Sequence, residues 1–198
     1  MEFKKLSKKA VSLALAVAVV TSSVVAPTAA KKAEAAKSYS AYLCFASKGY
    51  NGVLVNHDES DRSKGVMNGN NKTSIKGIKV RNASFKKGKV SFTVTASGKN
   101  LKKFASDKGW NSLYVDTSLP GKNKSKLKIT KAVVKFDGKT VKTIKNPALT
   151  PDPGKTQNFT QIMCLNTWNS NANKKWAASK VTKMPKKSIS VTITGKLK

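Results

Sequence analysis

Residues 157–168 read Q-N-F-T-Q-I-M-C-L-N-T-W and belong to the longest run free of Lys, Gly and Pro beyond the N-terminal region. Phe159, Met163 and Leu165 share one parity; Thr160, Ile162, Cys164, Asn166 and Trp168 share the other. A period of two is the signature of a β-strand, and a mixed second face predicts a strand covered on both sides. The stretch also carries one of two cysteines and one of three tryptophans. It is read as the central strand of a β fold.

The same alternation recurs on either side. Tyr39–Ala46 places Tyr39, Ala41, Leu43 and Phe45 opposite Ser40, Tyr42 and Cys44. Ile75–Phe85 and Lys89–Ala96 form a strand pair about a turn at Lys86-Lys87-Gly88-Lys89, with Val90, Phe92, Val94 and Ala96 on one face. Trp110–Thr117 is a further strand, closed by Leu119-Pro120-Gly121. Leu127–Phe136 and Lys139–Ile144 flank Asp137-Gly138, a dipeptide that supplies the positive φ of a type I′ hairpin turn. Ser188–Leu197 closes the chain with Ile189, Val191 and Ile193 alternating with Ser and Thr. Only Asn100–Lys108 has helical spacing. Lys48–Lys76 reads as a long surface loop, a kind of segment that is often functional. Asn146–Gly154 is proline-rich, and Asn169–Lys187 is polar and lysine-rich. Many short strands with turn signals indicate an all-β protein: a single antiparallel β-sandwich or jelly-roll-like domain.

The first residues have a different character. Lys4, Lys5, Lys8 and Lys9 precede an apolar core from Ala10 to Val20, and small residues follow with cleavage-like sites at Thr28-Ala29-Ala30 and Ala33-Glu34-Ala35. The apolar run is too short for a membrane span. Residues 1–35 are therefore expected to be a cleaved secretory signal peptide, and residues 36–198 the β-sandwich domain, with no membrane span in the mature chain. Six of the 39 basic residues and two of the nine acidic ones fall in the leader, so 33 cations against 7 acids leave the domain at +26. Only Arg62 and Arg81 are arginine. Lysine is a hydrated point charge, so this balance implies diffuse attraction to polyanions more than shaped readout of bases. The expected location is extracellular, with charge holding the protein at the cell surface.

Cys44 and Cys164 are the only thiols. In an exported protein an even pair permits one disulfide, provided the two strands bring their Cα atoms close enough. Such a bridge closes a loop of about 120 residues and would stabilise chiefly by constraining the unfolded chain. The alternative is two small buried thiols that pack without a bond.

Several segments carry a resemblance: S-Y-S-A-Y-L-C-F (Ser38–Phe45), G-W-N-S-L-Y-V-D-T-S-L-P (Gly109–Pro120), V-V-K-F-D-G-K-T-V (Val133–Val141), N-T-W-N (Asn166–Asn169) and P-K-K-S-I-S-V-T-I-T-G (Pro185–Gly195). Together they resemble the β-sandwich modules that anaerobic Gram-positive gut and rumen bacteria secrete, alone or beside glycoside hydrolases. The resemblance implies a jelly-roll-like sandwich and carbohydrate binding. The lysine excess departs from a typical glycan binder and moves the expected ligand from neutral towards anionic polysaccharide or cell-wall polymer.

Sugar recognition needs flat aromatic faces for the pyranose ring and amides for its hydroxyls. Trp168 with Asn166 and Asn169 offers both at a strand end, and Trp176 and Tyr50 add further faces. For Trp110 and Tyr114 core packing is the better reading. No cofactor is expected. The one candidate for a structural Ca²⁺ is the acidic loop bearing Asp58, Glu59 and Asp61, against the plainer reading of a solvated loop. There is no G-x-S-x-G, no metal-binding His pair and no Cys–His nucleophile pattern. Asp116 is the one acid placed within a strand like a catalytic residue, with Asp107 or Asp137 as its only nominal partners, so the chain is read as non-catalytic. No sequence-specific nucleic-acid motif is present. The competing expectation is a structural or adhesive envelope protein held to polyanions by charge alone.

Overall fold

A computed structural model describes residues 37–47, 52–53, 67–68, 76–103, 110–151, 159–166 and 185–198. The chain divides into two units, Met1–Glu34 and Ala35–Lys198, and every described residue belongs to the second.

The architecture is all-β and sandwich-like. The strands, in chain order, are β1 (Ser38–Ser47), β2 (Gly52–Val53), β3 (Met67–Asn68), β4 (Lys79–Arg81), β5 (Ala83–Lys86), β6 (Gly88–Ser97), β7 (Trp110–Pro120), β8 (Leu127–Phe136), β9 (Lys139–Lys145), β10 (Leu149–Pro151), β11 (Phe159–Asn166) and β12 (Ser188–Leu197). One five-stranded sheet runs β10-β11-β7-β1-β5 and a second runs β4-β6-β12-β8-β9, while β2 and β3 pair with each other inside the stretch expected to be loop. Every pairing is antiparallel.

The second sheet follows directly from its alternation. Val90, Phe92, Val94 and Ala96 of β6, Ile189, Val191 and Ile193 of β12, and Ala132, Val134 and Phe136 of β8 are all buried, and they join the inward residues of the first sheet in one core. The intervening residues face outward, as expected of an antiparallel sheet with one wet face. Asp137 (φ 50°) and Gly138 (φ 81°) form the β8–β9 turn, as the dipeptide predicts. Edge strand β9 carries Lys139, Lys142 and Lys145, charges that discourage pairing with another chain. At Gly195, where β12 bulges against β8, an added Cβ would collide with the Lys128 carbonyl, so this close approach requires glycine.

The first sheet is covered on both faces at its centre. Residues 112–117 of β7 and 159–165 of β11 are buried without interruption. This matches the expectation of a doubly covered strand within Gln157–Trp168, of which β11 is the described part, but β7 takes the middle position and β11 lies beside it. Side-chain parity reports which residues share a face; it does not rank strands within a sheet.

Two further expectations change. Ile75–Phe85 does not form one strand: β4 belongs to the second sheet and β5 to the first, so the chain crosses between layers at Asn82. The inward parity breaks there, from Val80 on β4 to Ala83 and Phe85 on β5. Phe85 then stacks on Phe92 across the layers, with ring centroids 5.3 Å apart and planes 19° apart. In Asn100–Lys108 the described residues show only a 3-10 turn, Leu101–Lys103, anchored by buried Leu101.

The proposed disulfide is also corrected. Cys44 and Cys164 are both buried, and neither takes part in a disulfide. Cys44 lies opposite Tyr114 on one side of β7; on the other side Tyr114 is opposite Met163, and Cys164 sits in the irregularity between Met163 and Leu165. Two strand spacings, about 9–10 Å, separate β1 from β11, beyond the roughly 7 Å Cα limit of a disulfide.

Candidate functional site

The outward face of the second sheet is built from hydroxyls and cations. Because the pairing is in register, outward residues align in rows across the strands. One row runs Arg81–Thr95–Ser190–Lys135, a second Thr93–Thr192–Val133–Thr143, and a third Ser91–Thr194–Lys131–Lys145. Threonine suits both roles here, since its β-branch favours the strand while its hydroxyl faces water. Thr93 and Thr192 share a hydrogen bond of 2.8 Å between their Oγ1 atoms, and the Thr130 hydroxyl donates to the Thr194 carbonyl at 3.1 Å. The hydroxyl ladder is thus cross-braced.

Charge on this face has one sign. Among the described residues only Asp116 and Asp137 carry a side-chain carboxylate, and neither faces these rows. Asp116 is fully buried in the first sheet. Asp137 sits in the β8–β9 turn, where its carboxylate accepts backbone N–H groups from Lys186 (2.9 and 3.1 Å), Lys187 (2.6 Å) and Ser188 (2.9 Å). Desolvation acts to raise its pKa, but these N–H donors, with the Lys187 charge, hold it below the ordinary aspartate value. Neighbouring strands lie about 4.8 Å apart, well within the ~8 Å screening length of physiological salt, so adjacent cations on the face reinforce one another.

The outward face of the first sheet mixes polar and apolar side chains and is buried at its centre. Tyr42, Asp116 and Gln161 form one row across β1, β7 and β11, and Cys44, Tyr114 and Met163 form the next. Apart from Tyr42, which is partly buried, these side chains are buried. The Asp116 carboxylate accepts the Thr117 N–H at 2.9 Å. Between Phe159 and Gln161 the β7–β11 register shifts, and the Thr117 hydroxyl donates to the Thr160 carbonyl at 2.6 Å while accepting the Leu119 N–H at 3.2 Å. The bulge therefore has its hydrogen bonds satisfied from within. Burial pushes the Cys164 thiol up to about 12, because the thiolate would be desolvated.

The sequence-derived site residues distribute unevenly. Asn166 is the last residue of β11, opposite Ser112 of β7. Trp168, Asn169, Trp176 and Tyr50 lie outside the described residues, as do Asp58, Glu59 and Asp61 of the acidic loop and Asp107. Among the described residues no group of three His, Cys, Asp or Glu side chains is arranged to hold a metal, and no helix is long and apolar enough to cross a membrane. Tyr114 is buried, in line with the core reading. The hydroxyl–cation face is a feature that residue-by-residue reading missed. Its signal was present as T-V-T, S-V-T-I-T and K-A-V-V-K on three strands, but their adjacency depends on pairing order.

No protein family, curated protein or solved structure matches the chain.

Proposed function

We propose that residues 36–198 form a secreted, non-catalytic, carbohydrate-binding-like module of jelly-roll-like architecture that favours anionic polysaccharide or a cell-wall polymer. The observation that carries this reading is the outward face of the second sheet, where braced threonine and serine rows lie among lysines with no described side-chain carboxylate facing them. Hydroxyls of this kind hydrogen-bond polymer hydroxyls, and the cations attract carboxylate or phosphate substituents. Trp168, Asn166, Asn169, Trp176 and Tyr50 are the proposed stacking and amide set that adds affinity for the sugar rings. After export the cationic surface would hold the protein at an anionic envelope.

A second reading is an adhesive envelope protein retained by charge alone. It draws on the spread of exposed lysine beyond that face, at Lys37, Lys86, Lys87, Lys102 and Lys122. Salt separates the two readings. Pull-down on acidic and neutral polysaccharides at rising ionic strength should show retention on the acidic polymers that persists in physiological salt and weakens in Trp168→Ala. Retention that collapses entirely with salt and ignores Trp168 supports the adhesive reading. Absence of retention on every acidic polymer would sink both.

A further inference from the structure

The second sheet has a notch at its β4 edge. β4 pairs with β6 only along Thr95–Ser97, because the chain leaves that sheet after Arg81 and crosses to the first sheet through Asn82. The departure leaves Thr93 of β6 without β4 beside it. The resulting groove has a volume of about 370 Å³ and is lined by Arg81, Asn82, Ala83, Thr93 and Thr95. That is within the range of pockets that enclose small ligands.

Its chemistry differs from that of the surrounding lysines. Arg81 is the only arginine among the described residues, and no described carboxylate is paired with it. A guanidinium presents parallel N–H donors that match the two oxygens of a carboxylate or phosphate, whereas lysine supplies only a point charge. Beside it, Asn82 stands between the two strands at the corner and brings an amide that both donates and accepts. Thr95 is opposite Arg81 in register, and the Thr93 hydroxyl is positioned by its 2.8 Å bond to Thr192. When Thr192 donates in that bond, the Thr93 proton is left to point into the groove.

Resting on the polymer-binding reading above, we infer that this notch is a specific subsite for one oxyanion-bearing sugar or polyol unit of the polymer. Arg81 grips the carboxylate or phosphate in a forked contact. Asn82, Thr93 and Thr95 take the neighbouring hydroxyls. The lysines of the face then attract the rest of the chain without selecting its units.

The test compares the full mature chain with Arg81→Lys, which keeps the charge and removes the fork, and with Thr95→Val, which removes a hydroxyl from a strand position that tolerates valine. Lys122→Gln serves as a control away from the notch. Binding is measured by calorimetry at physiological salt to polygalacturonate, poly(glycerol phosphate) and neutral dextran, with thermal melts confirming that each variant folds. Arg81→Lys should weaken binding to one or both anionic polymers roughly tenfold, and Thr95→Val by a smaller factor, while Lys122→Gln stays close to the parent. The polymer that loses affinity identifies the oxyanion as carboxylate or phosphate. If the parent binds an acidic polymer and both Arg81→Lys and Thr95→Val bind it equally well, the subsite is overturned while the broader reading stands. If the parent binds neither acidic polymer, the broader reading fails and the subsite with it.

Discussion

Asp137 and Ser188, 51 residues apart, are bonded to each other twice: the Ser188 N–H donates to Asp137 Oδ1 at 2.9 Å, and the Asp137 N–H donates to the Ser188 carbonyl at 2.9 Å. The aspartate of a hairpin turn therefore also fastens the start of β12. Lys186 and Lys187 add their N–H groups to the same carboxylate, so the chain entering the last strand is pinned to the β8–β9 turn.

Asp137→Ala should lower stability by about 1 kcal/mol, discounted from the usual worth of charged hydrogen bonds because the turn is exposed. Asp137→Asn should cost less, since asparagine keeps one acceptor oxygen and tolerates the positive φ of this position. Urea unfolding at neutral pH measures both. The depressed folded pKa of Asp137 gives the pH dependence: its contribution is present above the unfolded aspartate value of 3.8 and is lost as pH falls through the lower folded value. The stability gap between parent and Asp137→Ala should narrow in acid; a gap that is constant with pH would refute the ionic latch.

Both thiols should be silent in the native protein. Cys164 is buried and its pKa is pushed up to about 12, and Cys44 is buried beside β7. A thiol reagent at pH 8 should label neither until denaturant is added, and then both without prior reduction. Failure to label the unfolded, unreduced protein would reveal a bridge. Because the folded pKa of Cys164 lies above its unfolded value of 9.0, its contribution is fully present below pH 9.0 and is lost as pH rises towards 12. The urea midpoint should decline across that alkaline window, and the decline should lessen in Cys164→Ala.

Thr117→Val should destabilise the protein by about 1–3 kcal/mol although it is nearly isosteric. The lost hydroxyl strands the Thr160 carbonyl and the Leu119 N–H at a buried bulge. Thr143→Val, at an exposed position on β9, should be close to neutral by the same thermal melt.

The outward lysines of β8 should set the salt response of polymer binding. Lys131→Gln with Lys135→Gln removes two cations from the first and third outward rows of the second sheet. If each meets one anionic group, the slope of log affinity against log salt should fall by about two for an acidic polymer. An unchanged slope would move the contact surface elsewhere.

The sequence by itself determined the strands and their inward residues wherever one face is wet. Alternation in β6, β8 and β12, and the Asp137-Gly138 turn, are local properties, because a half-buried strand repeats every two residues whatever lies beside it. The layer crossing at Asn82 was also legible in principle, as the parity break between Val80 and Ala83. Only the tertiary structure decided which strands are neighbours. It put β7 between β1 and β11, which separates Cys44 from Cys164, and it aligned threonine rows from strands almost a hundred residues apart. It also opened the notch beside Arg81, where β4 leaves β6. The physical reason is that alternation specifies a face but is degenerate in partner. Sheet order and register come from packing all the apolar faces into one core at once, and only their juxtaposition creates the surfaces that can bind.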